Sequence, residues 1–266
     1  MNRISIIIVT FNSAKTIKAC VDSINKFVTD SEIIIVDNNS QDDTCKIIQG
    51  FGDKVKLIQP GGNLGFAKAN NLGIKSALGE YIIFLNPDTR IMEKDSLEKL
   101  VATLEDNTEY GIIGPKLVYP DGSLQSRTRN LPTVLRAFQE YILNKKGSYD
   151  FYTPVCKTLC EVESVIGACI VIKKKLFQKV GGFDEKYFMY FEDLELCRNV
   201  RLSGLKVGYL PEVKIEHAEG KSGVNQKTSN MLHNSAKLYH GFVKYYLIEA
   251  MLIAIRVRNK IKNILT

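Results

Sequence analysis

The chain has 266 residues, 45% of them hydrophobic and 24% charged, and carries a formal net charge of +7. This composition excludes intrinsic disorder and predicts one large domain, or a domain with an appendage. The positive charge suits an anionic ligand or surface. The six cysteines include no Cys-x-x-Cys pair, so a zinc site is not expected, and they are predicted to be reduced, buried thiols of a cytosolic protein.

The first 85 residues alternate between two hydrophobic patterns. Short apolar runs predict buried strands, and apolar residues at helical spacing predict amphipathic helices between them. This alternation predicts a parallel sheet with right-handed crossovers and helices on both faces. The predicted strands cover residues 4–11, 32–36, 55–58 and 81–85, and the predicted helices cover 17–27, 40–49 (opened by a capping box at Ser40) and 66–77.

Two of these strands lead into an acid. Asp37 follows the second strand, and Asp88 follows the fourth after Asn86 and a proline, which cannot donate to a sheet ladder. The carboxyl ends of parallel strands share one edge of a sheet, where ligands bind. Asp88 there is a natural ligand for a hard divalent cation that sits on phosphates. The alternative is that Asp88 caps the next turn, because Asn, Pro and Asp are common in turns.

Beyond Asp88 the pattern is looser. Residues 123–152 are rich in basic residues and are predicted to form loops around one helix. Gly167 and Ala168 lie inside a strand pattern, where small residues allow close approach of a ligand or of another backbone. One catalytic domain is predicted up to about residue 230. Strands are predicted at 112–119, 162–172 and 207–210, and helices at 96–104, 174–180 and 194–202.

The pair Glu192-Asp193 opens a predicted helix, where the free N–H groups and the dipole of the first turn stabilise a carboxylate. The simpler interpretation is an N-terminal cap. The aromatic run from Tyr187 to Phe191 favours a functional interpretation, because it would put the acids beside an apolar wall. Such a wall packs on a sugar ring and shields a general base from water. The residues themselves do not tell which acid is the base.

His217 follows the last predicted strand in a turn-rich segment. A lone histidine is usually a core or surface residue, and a metal or diphosphate contact is the alternative. Gly220, Lys221 and Gly223 offer backbone N–H groups and a charge to phosphate oxygens. The glycine turn at residues 61–65 also puts free N–H groups at a helix N-terminus, although it matches neither G-x-G-x-x-G nor a P-loop.

Eight short motifs follow one another along the chain. In order, they are Ile8-Val-Thr-Phe-Asn12, Val36-Asp-Asn-Asn-Ser40, Asn63-Leu-Gly-Phe66 with Asn70-Asn71, Phe84-Leu-Asn-Pro-Asp88, Val165-Ile-Gly-Ala168, Gly181-Gly-Phe-Asp-Glu185, Phe191-Glu-Asp193 and His217-x-x-Gly-x-Ser222. Each motif is weak alone, but the ordered set resembles family 2 glycosyltransferases, most closely their rhamnosyltransferase-like branch. The resemblance implies a GT-A fold, an α/β fold with a Rossmann-like, mostly parallel central sheet flanked by helices. It further implies a nucleotide-sugar-binding half (1–120) and an acceptor-binding half (121–230).

The resemblance also implies roles for individual residues. Asp88 is the metal-binding acid of the motif usually written Asp-x-Asp, with Asn86 in place of the first acid. His217 is a further metal or diphosphate ligand. Asp193 is the catalytic base, supported by Glu192. The residues implied to bind the donor nucleotide are Thr10, Phe11, Asn12, Asp37, Asn39, Asn63, Lys68, Asn70, Asn86 and Asp88, and those expected to line the acceptor or sugar pocket are Arg127, Arg129, Gly167 and Ala168.

The implied activity is inverting transfer of a sugar, with Mg²⁺ or Mn²⁺ as the cofactor. The implied donor is a nucleoside diphosphate sugar, dTDP-rhamnose first and a UDP-hexose second, and the acceptor is a glycan or a lipid-linked acceptor. Glu195 departs from the family, since many relatives have an aspartate there. Two alternatives remain, an NAD-dependent oxidoreductase on a similar sheet and a non-catalytic nucleotide-sugar-binding module. The incomplete glycine motif argues against the first, and the set of acids argues against the second.

Residues 231–266 form a basic tail, predicted to be an amphipathic helix. It is too short and too charged to span a bilayer, which takes about 20 apolar residues. The tail is predicted to bind the anionic, cytoplasmic face of the membrane. The alternative is a helix docked on the catalytic domain or on a partner subunit, as in a homodimer. Nucleic-acid binding is not expected, because no reader module is present. The predicted apolar face consists of Leu238, Phe242, Tyr245, Tyr246, Ile248, Met251, Leu252 and Ile255.

Overall fold

A computed structural model of the chain describes residues 3–218 and 226–265. The first half alternates strands and helices as the sequence predicts, and it adds a 3₁₀ turn (Gly52–Lys54) and a short strand after Asp88. Its strands are β1 (Ile4–Thr10), β2 (Ser31–Asp37), β3 (Val55–Ile58), β4 (Tyr81–Leu85) and β5 (Thr89–Ile91), and its helices are α1 (Ile17–Phe27), α2 (Thr44–Gln49), α3 (Phe66–Ile74) and α4 (Ser96–Asp106).

The second half contains longer loops between its elements. A π-helical turn (Phe138–Ile142) continues the short helix α5, and a glycine, Gly241, separates the last two helices. The strands here are β6 (Tyr110–Val118), β7 (Cys160–Val162), β8 (Cys169–Lys173) and β9 (Lys206–His217), and the helices are α5 (Val134–Ala137), α6 (Lys174–Lys179), α7 (Glu192–Leu202), α8 (Gln226–His240) and α9 (Phe242–Leu265).

One sheet runs through the protein in the order β3-β2-β1-β4-β8-β6-β9-β5, with β7 added on β9. The strands β3, β2, β1 and β4 are parallel neighbours, as predicted. The second half of the sheet is mixed, because β8 runs antiparallel to both β4 and β6. This reversal brings the beginning of β8 to the carboxyl end of β4, so loops from both halves of the chain meet at one edge.

Side chains alternate between two hydrophobic cores, one on each face of the sheet. Ile6 and Ile8 of β1 pack in the core with α1 and α4, whereas Ile7 packs in the other core, which α7 helps to form. Successive strand residues point to opposite faces, so a continuously apolar strand is buried on both. Full burial of each such side chain stabilises the fold by about 1.5–3 kcal/mol, which holds the strand ends of the site in place.

Two strand predictions in the second half are wrong in extent. The single strand predicted at 162–172 is two strands, β7 and β8, because Ser164 and Gly167 hydrogen-bond to Arg129 and Asp193 instead of to a neighbouring strand. The strand predicted to end at Leu210 continues as β9 to His217. Pro211 lies in a register irregularity between β9 and β6, where it does not have to supply an N–H group.

The capping box predicted at Ser40 is also wrong. Helix α2 begins at Thr44, four residues later than the predicted position, and Asp42 accepts a hydrogen bond from the Thr44 backbone N–H at 3.1 Å. Ser40 instead donates through its hydroxyl to Asp37 at 2.6 Å. Ser40, which the local pattern assigned to a helix N-terminus, therefore hydrogen-bonds to the acid at the end of β2 instead.

The cysteine prediction is correct for some residues and wrong for a pair. Cys20, Cys169 and Cys197 are buried free thiols, and Cys45 is a half-buried one. Cys156 and Cys160 are joined as a disulfide, with their Cα atoms 6.4 Å apart. The predicted reduced state was inferred from composition, which does not report that a loop folds back to bring two thiols together.

The tail consists of two helices, and the predicted boundary at residue 230 falls inside α8. Helix α8 packs on the aromatic segment before α7, where Tyr239 meets Phe191 at a ring distance of 5.2 Å. Helix α9 packs on α5 and the π-helical turn. No helix among residues 3–218 and 226–265 combines the length and the apolar character that crossing a membrane takes.

Candidate active site

The candidate site lies at the carboxyl end of the parallel strands β1, β2 and β4. Asp37 is the last residue of β2, and Asn86 follows β4 directly. The Asn86 N–H donates to the Ala168 carbonyl at 3.0 Å, so the loop before β8 lies against the end of β4. Strand ends that are far apart in the sequence are thereby brought to the same edge, as the sequence predicts.

Asp37 is buried and fully engaged. Its Oδ1 accepts hydrogen bonds from the hydroxyls of Thr10 (2.7 Å) and Ser40 (2.6 Å), and its Oδ2 accepts from the Ser40 backbone N–H (2.9 Å) and the Cys45 thiol (3.1 Å). Burial acts to raise the pKa of Asp37, but the donors from Ser40, Cys45 and Thr10 outweigh it and lower the pKa. The carboxylate is therefore ionised and fixed in orientation.

The loops around Asp37 hold the other residues predicted to contact the base. Asn12 accepts through Oδ1 from the Gln41 N–H at 2.8 Å, and Asn12 and Asn39 both have left-handed backbone conformations, with φ of 53° and 66°. Phe11 is exposed, with 45% of its surface accessible. An exposed aromatic ring beside a fixed carboxylate suits stacking on a nucleobase, and Thr10 lies beneath, where it supports Asp37.

The glycine turn before α3 joins this region to the aromatic segment before α7. Asn38 Nδ2 donates to the Gly65 carbonyl at 3.1 Å, and the Phe66 N–H donates to the Phe188 carbonyl at 2.7 Å. A Cβ atom at Gly65 would lie 2.3 Å from the Phe188 carbonyl oxygen, so only glycine fits there. Asn63 serves the same turn, accepting from the Gly65 N–H at 2.9 Å.

Two predicted nucleotide contacts lie on α3. Lys68 is exposed on this helix. Asn70 is buried, and its Nδ2 donates to the Phe66 carbonyl at 2.9 Å within the helix. Direct contact of either residue with a nucleotide stays a prediction.

Glu192 and Asp193 open α7 after two aromatic residues in the left-handed region, Tyr190 (φ 71°) and Phe191 (φ 70°). Such backbone angles are strained for bulky residues and cluster at functional sites. The Asp193 carboxylate accepts from the Gly167 N–H at 3.0 Å and from the Leu194 N–H at 2.8 Å. The predicted base and the predicted pocket residue Gly167 are therefore in direct contact.

Both acids of this pair have raised pKa values. Burial raises the pKa of Glu192 well above its ordinary value, and the charge of Asp193 raises it further. Burial also raises the pKa of Asp193, opposed by the Gly167 and Leu194 N–H groups and by Arg129. Glu192 Oε2 has no hydrogen-bond partner in the described part of the chain. A pair of acids in this state holds a proton readily, as a general base requires.

His217 is buried beside Asp88, and Gln125 sets its orientation. Gln125 Nε2 donates to the His217 carbonyl oxygen at 2.6 Å, so its Oε1 lies 3.0 Å from His217 Nδ1. Because a carbonyl oxygen accepts only, Nδ1 carries the proton of this pair. His217 Nε2 is left facing Asp88 Oδ1 at 3.4 Å.

In the tautomer that has its proton on Nδ1, His217 presents Nε2 as an acceptor toward the Asp88 oxygen, and two acceptors this close fit a shared cation. An imidazole nitrogen and a carboxylate oxygen suit Mn²⁺, and Mg²⁺ is commonly held by one or two carboxylates plus substrate phosphates. Within residues 3–218 and 226–265 no cluster of three or more His, Cys, Asp or Glu side chains could hold a metal. A cation here would take its remaining ligands from phosphate oxygens and water.

The acceptor side of the edge contains two arginines. Arg127 lies over the Phe151 ring at 5.2 Å and borders a cavity that Val165 and Cys169 also line. Arg129 donates through Nε to the Tyr149 carbonyl at 2.7 Å, and its charge acts on Asp193. Both arginines were predicted at this wall, and Arg129 is the one whose charge lowers the pKa of Asp193.

One site residue was not predicted, and part of one motif is outside the described residues. Gln125 occupies a segment that the sequence assigns to loops around one helix, and its partner His217 is distant in sequence, so no local pattern identifies it. Glu195 is buried with Arg198 and accepts from the Tyr187 hydroxyl at 3.3 Å, which supports the aromatic segment. The predicted phosphate contacts of Gly220, Lys221, Ser222 and Gly223 lie outside the described residues.

The chain has clear relatives. Residues 5–181 match the profile of Glycosyl transferase family 2, and residues 152–220 match one described as the N-terminal domain of galactosyltransferase. The dTDP-rhamnosyl transferase RfbF of Shigella flexneri is 28% identical over 91% of this chain and 78% of its own. The N-acetylglucosaminyl-diphospho-decaprenol L-rhamnosyltransferase of Mycobacterium tuberculosis is 26% identical over 78% and 73%. Longer relatives exist, since the chain spans 25% of the protein y4gI of Sinorhizobium fredii.

Solved structures share the fold. GalNAc-T7, crystallised with UDP, GalNAc and Mn²⁺, superposes with a TM-score of 0.63 and 17% identity, over 87% of this chain and 47% of its own. The mannosyltransferase PcManGT from Pyrobaculum calidifontis, in complex with GDP-Man and Mn²⁺, gives 0.60 and 18%, over 96% and 75%. The predicted GT-A fold is confirmed. A profile that covers two thirds of the sequence, together with relatives named rhamnosyltransferases, establishes that the chain belongs to glycosyl transferase family 2.

Proposed function

We propose that the chain transfers a sugar, with inversion, from a nucleoside diphosphate donor to a hydroxyl group of a glycan or lipid-linked acceptor. The observation that carries this proposal is the contact between Asp193 and Gly167 at the end of β4. It brings a buried acid with a raised pKa to the sheet edge that also holds Asp37 and Asp88. A rhamnosyl donor such as dTDP-rhamnose is the first choice, because RfbF and the mycobacterial relative are named for rhamnose. A UDP-hexose is the second.

The donor nucleotide binds at the β1–β2 end of the edge. The ionised Asp37 accepts from the ribose or the pyrimidine in exchange for one of its four present donors, and Phe11 stacks on the base. Asn12, Asn39 and Asn63 lie in the surrounding loops. This assignment is supported by the density of hydrogen bonds that fix Asp37, since a preorganised acceptor loses little entropy on binding.

The transfer step uses Asp193 as general base. Its carboxylate takes the proton of the acceptor hydroxyl while that oxygen forms a bond to the anomeric carbon. The bond from the anomeric carbon to the diphosphate oxygen breaks, and the nucleoside diphosphate leaves with the electron pair. Glu192 stays protonated beside Asp193, because its burial and the charge of Asp193 both disfavour its ionisation.

A divalent cation, Mg²⁺ or Mn²⁺, would be held by Asp88 and His217. When bound, such an ion neutralises the negative charge that grows on the departing diphosphate. Gln125 keeps His217 Nε2 aimed at the ion position by occupying Nδ1. Asn86 lies next to these residues as a neutral neighbour, so the protein contributes little negative charge and the diphosphate contributes most of it.

A donor screen tests the proposed function. The purified chain is incubated with Mn²⁺, a panel of nucleoside diphosphate sugars and a lipid-linked acceptor, and release of nucleoside diphosphate is measured. One donor is expected to react with acceptor-dependent release. Binding of every donor without release would favour a non-catalytic module, and an increase in NADH fluorescence on mixing would favour the oxidoreductase.

We also propose the division of residues 1–230 into a donor half (1–120) and an acceptor half (121–230). The parallel strands with Asp37 and Asp88 in the first part support it, as do Arg127, Arg129 and the acid pair in the second. The location that suits a lipid-linked acceptor is the cytoplasmic face of the membrane. A homodimer stays a prediction, which sedimentation of the purified chain would test.

A further inference from the structure

Helix α9 has two apolar faces, and only one of them packs on the protein. Tyr245 and Ile248 are buried, and Met251 is partly buried beside them. Ile248 and Met251 pack on Ala137 and Tyr141 of the neighbouring helical segment, and Tyr245 contacts His233 of α8. Leu252 and Ile255 pack there as well, so five of the eight residues of the apolar face predicted for the tail are occupied, whereas Phe242 and Tyr246 lie on the opposite face.

Between Phe242 and Val257 the opposite face is exposed and carries no charge. An α-helix turns by about 100° per residue, which puts its exposed large apolar side chains within one arc of about 140°. Two alanines, Ala250 and Ala254, lie in the same arc and are also exposed. Phe242, the most exposed of the set, has 73% of its surface accessible. The large residues of this outward face are Phe242, Val243, Tyr246, Leu247, Ile253 and Val257.

Basic residues border the outward face. Arg258 and Arg256 lie about 20° and 40° beyond its two edges on the helical wheel, and both are exposed. Glu249, which also borders the arc, lies 3.7 Å from His233 of α8. From residue 250 to the end of the chain the sequence has four basic residues and no acid. An apolar strip about 24 Å long with basic borders is typical of a helix that lies in a membrane interface.

We propose that this outward face of α9 docks on the surface of an anionic lipid bilayer. The aliphatic and aromatic side chains enter the headgroup boundary, and the arginines pair with lipid phosphates. A second copy of the chain suits the face less well, because self-pairing would bring the basic borders of both copies together. The docking does not require transferase activity, so it stands or fails separately from the proposed function.

The segment formed by α5 and the π-helical turn also exposes apolar residues next to basic ones. Leu135, Phe138 and Ile142 of α5 and the π-helical turn are exposed apolar residues, and Lys145 and Lys146 follow them. Because α9 packs on this segment, the segment remains with α9 when the helix docks. Exposed apolar residues concentrated in one helical unit indicate an interaction surface better than scattered ones do.

Vesicle flotation of the full chain tests the proposal. The protein is mixed with vesicles of phosphatidylcholine and phosphatidylglycerol, or of phosphatidylcholine alone, and is expected to float with the anionic vesicles. The double variant Leu247→Gln with Ile253→Gln is expected to lose about 100-fold in partitioning, because it removes two large side chains from the lipid contact. Gln is a good helix former, so α9 itself is kept.

The matched control is Leu78→Gln with Leu202→Gln, which changes two comparably exposed leucines outside the tail. It is expected to float like the unmodified chain. Arg256→Gln with Arg258→Gln is expected to weaken partitioning into anionic vesicles by about 10- to 30-fold. Circular dichroism melting checks that each variant is folded.

Two outcomes would overturn the proposal. In the first, the unmodified chain fails to float, or the tail variant floats as well as the leucine control. In the second, sedimentation velocity gives a dimer that the tail variant converts to a monomer, with no vesicle binding by either; the face would then be a contact between copies. Donor turnover with a soluble acceptor is measured beside flotation, so that loss of docking is distinguished from loss of catalysis.

Discussion

The carboxylates at the two ends of the candidate site have pKa values that are shifted in opposite directions. Asp37, at the end of β2, is buried but accepts hydrogen bonds from Thr10, Ser40 and Cys45, and its pKa is lowered. Glu192 and Asp193, at the start of α7, accept fewer hydrogen bonds than Asp37, and their pKa values are raised. Burial alone therefore does not decide the protonation state; the number of donors does.

The difference separates a binding acid from a reacting acid. A carboxylate that is saturated with donors stays charged over the working pH range, and it accepts from a ligand in exchange for one of those donors. A carboxylate that lacks donors binds a proton more tightly and is able to take one during a reaction. Changes at each position should therefore affect different observables.

Asp193→Asn is expected to have the largest effect. Removing a general base lowers the rate by about 10²- to 10⁴-fold, whereas donor affinity should be retained because Asn keeps the shape of the side chain. Turnover and titration calorimetry with the nucleoside diphosphate measure the two quantities. In the unmodified chain the rate should fall as the pH is lowered through the raised pKa of Asp193, since the base becomes protonated.

Asp22→Asn is the matched control for that substitution, because Asp22 is an exposed carboxylate paired with Lys18 on α1. It should leave the rate unchanged. Full transfer activity in Asp193→Asn would show that the reacting acid is elsewhere and would remove the basis for the comparison.

Gln125→Leu tests a third carboxylate, Asp88, through the histidine that faces it. Without the Gln125 carbonyl, His217 Nδ1 has lost its acceptor and the ring is free to turn. Loss of such an orienting partner lowers metal affinity by about 10- to 100-fold. Mn²⁺ binding in the presence of dTDP is measured by electron paramagnetic resonance, and a pulsed measurement detects the coordinated histidine nitrogen.

Gln178→Leu, at an exposed glutamine of α6, is the control for this measurement. Gln125→Glu keeps an acceptor for Nδ1 and is expected to restore part of the nitrogen signal. An unchanged signal in Gln125→Leu would contradict the positioning role, even if turnover fell for other reasons.

Asp37→Asn should reduce stability by about 1–2 kcal/mol, because an amide does not accept all the hydrogen bonds of the carboxylate. The folded pKa is lowered, so the charged Asp37 stabilises the fold above its unfolded pKa of about 3.9 and less so as the pH falls through the folded value. The stability difference between the unmodified chain and Asp37→Asn, measured by urea denaturation, should therefore shrink in acid. A difference that grows in acid would contradict the lowered pKa.

Glu192→Gln is expected to have the smallest effect on the rate, because Gln resembles the protonated Glu192. At neutral pH the Glu192→Gln variant should be more stable than the unmodified chain, whereas Asp37→Asn should be less stable. The folded pKa of Glu192 is raised, so folding disfavours its ionisation, and the unmodified chain loses stability as the pH rises above about 4.3. The variant should melt at a higher temperature than the unmodified chain at neutral pH, and at an equal one in acid.

The first half of the fold could be predicted from the sequence because its signals are local. Strands such as β4 are continuously apolar and buried on both faces, and the acids follow them directly. The second half was predicted less well. The break between β7 and β8 depends on hydrogen bonds from Ser164 and Gly167 to residues that are distant in sequence.

The same limit applies to the site. Asp37, Asp88, Asp193 and His217 were predicted from motifs, and they meet at one edge. Gln125 was missed, because its role depends on a histidine 92 residues away. The tail shows a further limit, since a helical pattern identifies an apolar face but does not tell which of two apolar faces the domain covers.

The single glycine between α8 and α9 links the proposed membrane contact to the chemistry. Gly241 has a φ of 73°, and the helix before it contacts the segment ahead of the acids through Tyr239 on Phe191 and through the Ser235 hydroxyl on the Met189 carbonyl at 2.7 Å. With α9 lying on lipid, this one-residue connection would fix the height of Asp193 above the headgroups. The enzyme would then select an acceptor by the distance between its reacting hydroxyl and the lipid surface.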